Sequence, residues 1–179
     1  MSSAARKLDP ERLGDHLDRL YRAAWGLCGS REDAEDLVQQ TYAKVLAKPR
    51  LLHSEDDLGY LLRVLRNTHF SNHRAAGRRI RPSTLAGDLD LIEDHSIVGP
   101  QDALEASELY ALIARLPDGF RDALVAVDVL GLSYREASRA LSVREGTITT
   151  RLHRGRRLLA RALDGKNPGS TDVIINRAP

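Results

Sequence analysis

The 179-residue sequence is poor in cysteine and aromatic residues, and it has no long apolar run. Its one cysteine, Cys28, cannot form a disulfide within the chain, and no Cys or Cys/His spacing resembles a zinc site. Only 4% of the residues are aromatic. No apolar run approaches the ~18 residues of a membrane span, and the N-terminus lacks the apolar core of a signal peptide. We therefore expect a cytoplasmic protein with no direct membrane contact.

Charge is distributed in blocks, although the net charge is only +2, from 27 Lys and Arg against 25 Asp and Glu. Residues 63–81 contain six Arg and no acid, whereas residues 85–110 contain seven acids and no base. Arg dominates again over residues 133–162. Two basic blocks separated by an acidic, Gly- and Pro-containing stretch predict two binding modules with a linker. The expected boundaries are a flexible segment 1–10, a first module 11–80, an acidic linker 81–102, a second module 103–163 and a disordered tail 164–179.

Apolar residues recur at helical spacing through both modules, which predicts an all-α fold of two small helical domains joined by a flexible linker. The first helix is expected to end near Gly29, and Ser30 with Asp33 forms an approximate capping box for the second. A third helix is expected from about Asp56 to Ala75, with either His69 or Phe70 pointing inward. Two further helices are predicted over residues 103–116 and 119–129.

Two Ser-x-x-Glu capping boxes, at residues 133–136 and 142–145, predict two short helices that begin near Tyr134 and Val143. Small alanines on the first of these helices permit the close crossing of a helix-turn-helix. Gly155, inside the second helix, costs about 1 kcal/mol relative to Ala, which predicts close packing against a neighbouring helix.

Short hydroxyl side chains alternate with arginines along one face of the last helix. This stripe comprises Arg144, Thr147, Thr150, Arg151 and Arg154. Thr can contact a thymine methyl or a phosphate, and Arg can bind a guanine edge through two hydrogen bonds, so the stripe suits a DNA major groove. Arg156, Arg157 and Arg161 follow and are expected to contact phosphates. A solvated basic helix without a partner is the alternative interpretation.

Long segments of both modules resemble one bacterial family. The segment "LPDGFRDALVAVDVLGLSYREASRALSVREGTITTRLHRGRRLLARAL" resembles region 4 of the extracytoplasmic-function (ECF) sigma factors of RNA polymerase. The segments "GSREDAEDLVQQTYAKVL" and "LGYLLRVLRNTHFSNHRAAGRR" resemble region 2 of the same family. The resemblance covers roughly Arg12 to Leu163. It implies a non-enzymatic promoter-specificity subunit that binds core RNA polymerase and recognises −35 and −10 promoter elements.

The resemblance assigns polymerase binding to the helix that contains "DAEDLVQQTY". In the family, region 2 binds the β′ clamp helices and region 4 contacts the β flap. The implied polymerase-binding residues are Asp33, Glu35, Asp36, Gln39, Gln40 and Lys44. An acidic face repels DNA, which agrees with a protein partner. Gln40 and Tyr60 replace the carboxylate and the Trp that are common in the family at these positions.

The resemblance assigns −10 recognition to the third helix and to the loop before it. The implied helix residues are Arg63, Arg66, Asn67, Phe70, Arg74, Arg78 and Arg79, which combine backbone clamps with an amide and an aromatic ring. The loop would hold a flipped-out base, with Leu52, His53 and Ser54 as candidates. The implied −35 residues are Arg144, Glu145, Thr147, Thr149, Thr150, Arg151, Arg154 and Arg157.

Two other classes of function are alternatives to this interpretation. A conventional helix-turn-helix regulator would bind duplex DNA without core polymerase, but it would not need the acidic helix. An enzyme would need paired carboxylates beside a base or a third ligand, and the sequence offers no such arrangement. His69 and His73 have metal-binding spacing but no evident third ligand, so we expect no catalytic residue, no metal and no cofactor. An anti-sigma factor is implied by the resemblance alone.

Overall fold

The computed structural model describes residues 6–7, 11–47, 51–52, 57–78 and 100–166, most of which are helical. A 3-10 segment, Glu11–His16, precedes the α-helices, which are α1 (Leu17–Cys28), α2 (Arg31–Ala47), α3 (Asp57–Arg78), α4 (Pro100–Ala114), α5 (Asp118–Leu124), α6 (Tyr134–Leu141) and α7 (Glu145–Lys166). A π-helical turn, Val125–Val129, continues α5. Arg6–Lys7 and Leu51–Leu52 form one short antiparallel pair. The predicted all-α fold is confirmed.

The start of α2 and the end of α1 follow the local sequence signals. Gly29 adopts a left-handed conformation, with φ of 82°, and its N–H donates to the carbonyl of Trp25 at 2.7 Å. The hydroxyl of Ser30 accepts a bond from the Asp33 amide at 3.2 Å and donates to its carboxylate at 2.7 Å. The approximate capping box is thereby confirmed.

Helix α3 buries its leucines, among them Leu61 and Leu65, against α1 and α2. Its inward aromatic residue is His69, which is 4% exposed, whereas Phe70 is half-buried. The helix continues to Arg78, three residues beyond the predicted end. Leu46, near the end of α2, has helical spacing with the apolar residues of that helix but is 52% exposed.

The predicted capping box at Ser133 is confirmed, and the prediction of a second box at Ser142 is wrong. Glu136 accepts from the Ser133 amide at 2.8 Å, and the Ser133 hydroxyl accepts from the Glu136 amide at 3.3 Å. Ser142 instead has φ of 56° and terminates α6 in the left-handed region. Because this residue is used as a C-cap, α7 begins later than predicted, at Glu145, and the Arg144 carbonyl accepts its first helical bonds.

One hydrophobic core runs through both predicted modules. Helix α1 packs on α2 and α3 on one side and on α4 and the π-helical turn on the other. Trp25 stacks on Tyr110 of α4 with ring centroids 4.4 Å apart. Gly26 allows this approach, since a β-carbon there would lie 3.0 Å from Val125 Cγ2. Most of the predicted linker 81–102 and of the predicted tail 164–179 lies outside the described residues, but residues 100–102 belong to α4 and residues 164–166 belong to α7, so both helices extend beyond the predicted boundaries. No described helix is long and apolar enough to span a membrane.

Candidate nucleic-acid interface

The helix-turn-helix is held together by a narrow apolar face of α7. Ile148 and Leu152 are almost completely buried against α5 and α6. Gly155 is buried in the same row, and a β-carbon at this position would lie 3.2 Å from the carbonyl oxygen of Phe120. The predicted close packing at Gly155 is therefore confirmed. This packing orients the opposite face of α7 towards solvent.

The solvent face of α7 carries hydroxyl and guanidinium groups. At ~100° per residue, Thr150, Arg154 and Arg157 lie opposite Ile148, and all three are exposed. Glu145 and Thr149 are also exposed, whereas Thr147 is half-buried. The threonine hydroxyls donate within the helix, Thr149 to the Glu145 carbonyl at 3.2 Å and Thr150 to the Gly146 carbonyl at 3.0 Å. Both side chains remain exposed on the surface of α7.

Two arginines of the last helix are held by the protein itself. The guanidinium of Arg151 packs over Gly119 of α5, with its Cζ atom 3.2 Å from an ideal β-carbon position there. Arg156 donates to both carboxylate oxygens of Asp128, at 2.6 and 3.0 Å. Arg144 is exposed and immediately precedes α7. The exposed guanidinium groups of the stripe are therefore those of Arg144 and Arg154, and Arg157 is exposed beyond the stripe.

The basic face of α3 is partly covered by the second module. Arg63 donates to the carbonyls of Arg139 at 2.5 Å and Ala140 at 3.3 Å. Arg66 donates to the Asp122 carboxylate at 2.5 Å, and its guanidinium lies 4.8 Å from the Phe70 ring centroid.

The other residues implied at the −10 surface are distributed along α3 and beyond it. Asn67 and Arg74 are exposed on the same helix. Arg78 is its last residue, and Leu52 belongs to the short strand. Arg79, His53 and Ser54 lie outside the described residues.

Helix α2 presents the acidic face that is implied to bind polymerase. All six residues of this face are exposed: Asp33, Glu35, Asp36, Gln39, Gln40 and Lys44. Three of them also have structural contacts. The Asp33 carboxylate accepts from the Ser30 hydroxyl at 2.7 Å, Gln40 accepts from Asn72 at 3.0 Å, and Lys44 donates to Thr68 at 3.1 Å. Glu35, Asp36 and Gln39 are the other three exposed residues of the face, and Asp36 also lines a cavity between α2 and α3.

A cavity of about 240 Å³ between α2 and α3 is lined in part by two side chains, Cys28 and His69, that are far apart in the sequence. The Cys28 thiol lies 3.7 Å from Nδ1 of His69, which is 41 positions away. Burial raises the pKa of Cys28 to about 12, so the thiol stays protonated. Burial, and then the neighbouring His73 and Arg121, lower the pKa of His69 to about 4. No group of three metal-ligating side chains occurs in the described part of the chain.

The low pKa of His69 predicts a stability loss in mild acid. Between pH 6.5 and 4 the unfolded chain binds a proton at this position and the folded chain does not, so stability falls as the pH falls. From pH 7 to pH 5 the loss should be about 2 kcal/mol. Urea unfolding at the two pH values measures it. His69→Gln should remove this part of the pH dependence, and His153→Gln, at an exposed position of α7, should not. Equal slopes in both variants would contradict the prediction.

Two family models match the chain. The sigma-70 region 2 model matches residues 13–79, and the sigma-70 region 4 model matches residues 106–159. The first match contains α1 to α3, and the second contains α5 and α6 with most of α4 and of α7. These two matched segments are region 2 and region 4 of the chain.

Individual relatives agree with both models. The chain is 36% identical over 152 residues to the ECF RNA polymerase sigma factor SigE of Mycolicibacterium smegmatis, covering 83% of this chain and 59% of that protein. It is 31% identical over 155 residues to the ECF sigma factor EcfG of Rhodopseudomonas palustris, covering 85% and 84%. The solved sigma factor RpoE of Bartonella quintana, in complex with the anti-sigma factor NepR, superposes with a TM-score of 0.65 at 26% identity, covering 86% and 95%. The chain therefore belongs to the ECF group of the sigma-70 family of bacterial RNA polymerase sigma factors.

Proposed function

We propose that this sigma factor uses three separate surfaces to start transcription. The acidic face of α2 binds core polymerase at the β′ clamp helices, α3 and its preceding loop bind the −10 element, and α7 reads the −35 element while region 4 contacts the β flap. The protein itself catalyses no reaction. Its place of action is the bacterial cytoplasm, at polymerase and nucleoid DNA. The observation that supports this division most strongly is the separation of charge between α2 and α7.

The −35 surface works by direct readout and by phosphate anchoring. The first turns of a helix-turn-helix recognition helix contact base edges, and residues farther along contact the backbone. Arg144, Thr150 and Arg154 lie just before α7 or within its first three turns, and Arg157 lies farther along the exposed face. Arg156 contributes less, because its guanidinium is already paired with Asp128.

The −10 surface binds a DNA strand that has separated from the duplex. Extruding a base costs a few kcal/mol of stacking and pairing, which must be recovered by stacking and hydrogen bonds in the protein. Phe70 and the guanidinium of Arg66 already stack on each other, at 4.8 Å, and together provide a flat surface for a base. Arg74 lies one turn further on and can neutralise a phosphate.

The proposed partners of this protein include a protein antagonist. The solved relative RpoE is in complex with the anti-sigma factor NepR, and a region of this chain that covers 86% of its length superposes on that sigma factor. We place an anti-sigma factor among the partners of this protein on that similarity.

Reconstituted transcription tests the proposed function. Purified protein and core polymerase are incubated with fragmented genomic DNA, and 5′ ends of the transcripts are mapped. The expected result is a set of start sites that share −35 and −10 sequences and that core polymerase alone does not produce. Promoter binding without any transcript, and without complex formation with core polymerase, would instead support a conventional helix-turn-helix regulator.

The exposed face of α7 gives a prediction for DNA binding. Arg154→Ala should weaken binding to the mapped −35 duplex by about 1–2 kcal/mol and relax the preference at one base pair. Arg157→Ala should weaken all sequences alike and reduce the salt dependence. Arg156→Ala is the matched control, because this residue pairs with Asp128. Fluorescence anisotropy at several salt concentrations measures these effects. Equal losses in the Arg154 and Arg156 variants would rule out this assignment of the face.

A further inference from the structure

An apolar groove of about 390 Å³ lies between α4, the π-helical turn and the C-terminal half of α7. Leu109 and Ile113 of α4 line one part of it, and Leu159 and Leu163 of α7 line another. Leu163 is 41% exposed, and Leu109 and Leu159 are half-buried. Within the part of the chain that the structure describes, this apolar surface is therefore only partly covered.

The groove lies on a different side of α7 from the face that is proposed to bind DNA. At ~100° per residue, Leu159 and Leu163 lie within ~60° of the buried Ile148, whereas Arg154 and Arg157 lie on the opposite side of the helix. A segment bound in the groove therefore leaves the proposed −35 surface accessible.

The sequence that follows α7 contains one short apolar segment. After Lys166, where α7 ends, the chain continues as "NPGSTDVIINRAP", which lies outside the described residues. The tail segment, residues 173–175, consists of three consecutive branched apolar residues: Val173, Ile174 and Ile175. Pro168 cannot continue a helix and Gly169 permits a sharp turn, so the pattern predicts a reversal of the chain before the tail segment. Burial of such side chains is more favourable than their exposure to water.

The connection to α7 is long enough for the tail segment to reach the groove. Residues 167–172 form this connection, and an extended segment of that length spans about 20 Å. Along α7 the groove extends from Leu163 back to Arg156, which is a rise of about 10 Å. A short connection also keeps the effective concentration of the tail segment at the groove on the order of mM. This concentration favours the tail over an apolar segment of another molecule.

The charges at the edge of the groove suit the residue that precedes the tail segment. Arg22, Asp128 and Arg156 line the groove, and Arg156 is already paired with Asp128. Arg22 donates to the backbone carbonyl of Asp18 at 3.4 Å, a contact that does not neutralise its charge. Asp172 directly precedes the tail segment, so its carboxylate can pair with Arg22 while the apolar side chains enter the groove.

We propose that the groove is the docking site for residues 172–175 of the same chain. The docked tail covers Leu159 and Leu163 and closes the groove to apolar segments of other proteins. A partner that binds in the groove must first displace the tail, so the tail lowers the affinity for any such partner. For these residues, docking replaces the disorder that the composition of the tail predicts.

Disulfide trapping tests the proposal on the full chain. In a Cys28→Ser background, Ala160→Cys places a thiol in the groove and Asn176→Cys places one beside the tail segment, which itself is unchanged. The control pair is Arg161→Cys with Asn176→Cys, since Arg161 is exposed and does not line the groove. In a glutathione redox buffer, the groove pair should show an effective concentration at least about 10-fold above that of the control pair.

Charge in the tail segment should abolish this preference. Ile174→Asp with Ile175→Asp, added to the groove pair, should lower the effective concentration to that of the control pair, because ionised carboxylates are costly to bury in an apolar groove. Ser170→Asp with Thr171→Asp adds the same charge outside the tail segment and should retain most of the preference.

The trapping experiment also distinguishes the possible occupants of the groove. Equal effective concentrations in the groove pair and the control pair would overturn the proposal, and so would unchanged trapping with the two aspartates in the tail segment. Disulfides between chains, seen as dimers on a non-reducing gel, would assign the groove to a second copy and overturn it as well. Neither DNA nor polymerase is present, so the result does not depend on the proposed function.

Discussion

Replacing Gly155 with leucine is expected to lower the free energy of unfolding by about 3 kcal/mol. Gly155 lies where α7 crosses α5, and a β-carbon there would already be 3.2 Å from the carbonyl oxygen of Phe120. Because this oxygen belongs to the backbone, it cannot rotate away, and a larger side chain must push the helices apart. Denaturant unfolding monitored by circular dichroism measures the loss, and −35 duplex binding should decline with it.

Gly146 provides the matched control on the same helix. A β-carbon at Gly146 would meet no atom within 4 Å, and the residue is exposed. Gly146→Leu should therefore raise stability by up to about 1 kcal/mol, because leucine has the higher helix propensity. If both leucine variants unfold at the same denaturant concentration, the crossing of α5 and α7 does not require the glycine.

The helices and most of their ends could be predicted because their signals are local. Apolar spacing marked the buried faces, Gly29 marked the end of α1, and the boxes at Ser30 and Ser133 marked helix starts. The box at Ser142 failed because two local signals compete there. The turn of the helix-turn-helix needs a left-handed residue to end α6, and Ser142 supplies it with φ of 56°. A residue in that conformation ends one helix and does not cap the next.

The residues of a candidate surface could be predicted only where they lie on a single helix. The exposed positions of α7 follow from its periodicity, but the packing of Arg151 over Gly119 depends on the neighbouring α5. The contact between Arg66 and Asp122 joins positions 56 apart, and nothing in the local pattern marks Asp122 as buried. Contacts between regions are set by tertiary packing, which sequence spacing does not encode.

Charge reversal in the centre of the α2 face is expected to have the largest effect on polymerase binding. Glu35→Lys with Asp36→Lys changes two exposed carboxylates to ammonium groups and leaves the helix cap formed by Ser30 and Asp33 intact. Like-charge contacts across an interface cost several kcal/mol, so affinity for core polymerase should fall by about 100-fold or more. Titration of dye-labelled protein with core polymerase measures the loss, and transcription should fall in parallel.

The control must carry the same change in charge on another surface of region 2. Asp15→Lys with Asp18→Lys does so, since both aspartates are exposed in the 3-10 segment and the first turn of α1. General electrostatic attraction or repulsion would change polymerase affinity similarly in both double variants. A loss confined to the Glu35 and Asp36 variant identifies α2 as the polymerase-binding surface, because only the position of the charge differs. Equal affinities in the two variants would show that α2 is not part of the polymerase interface and that its acidic face is only solvated.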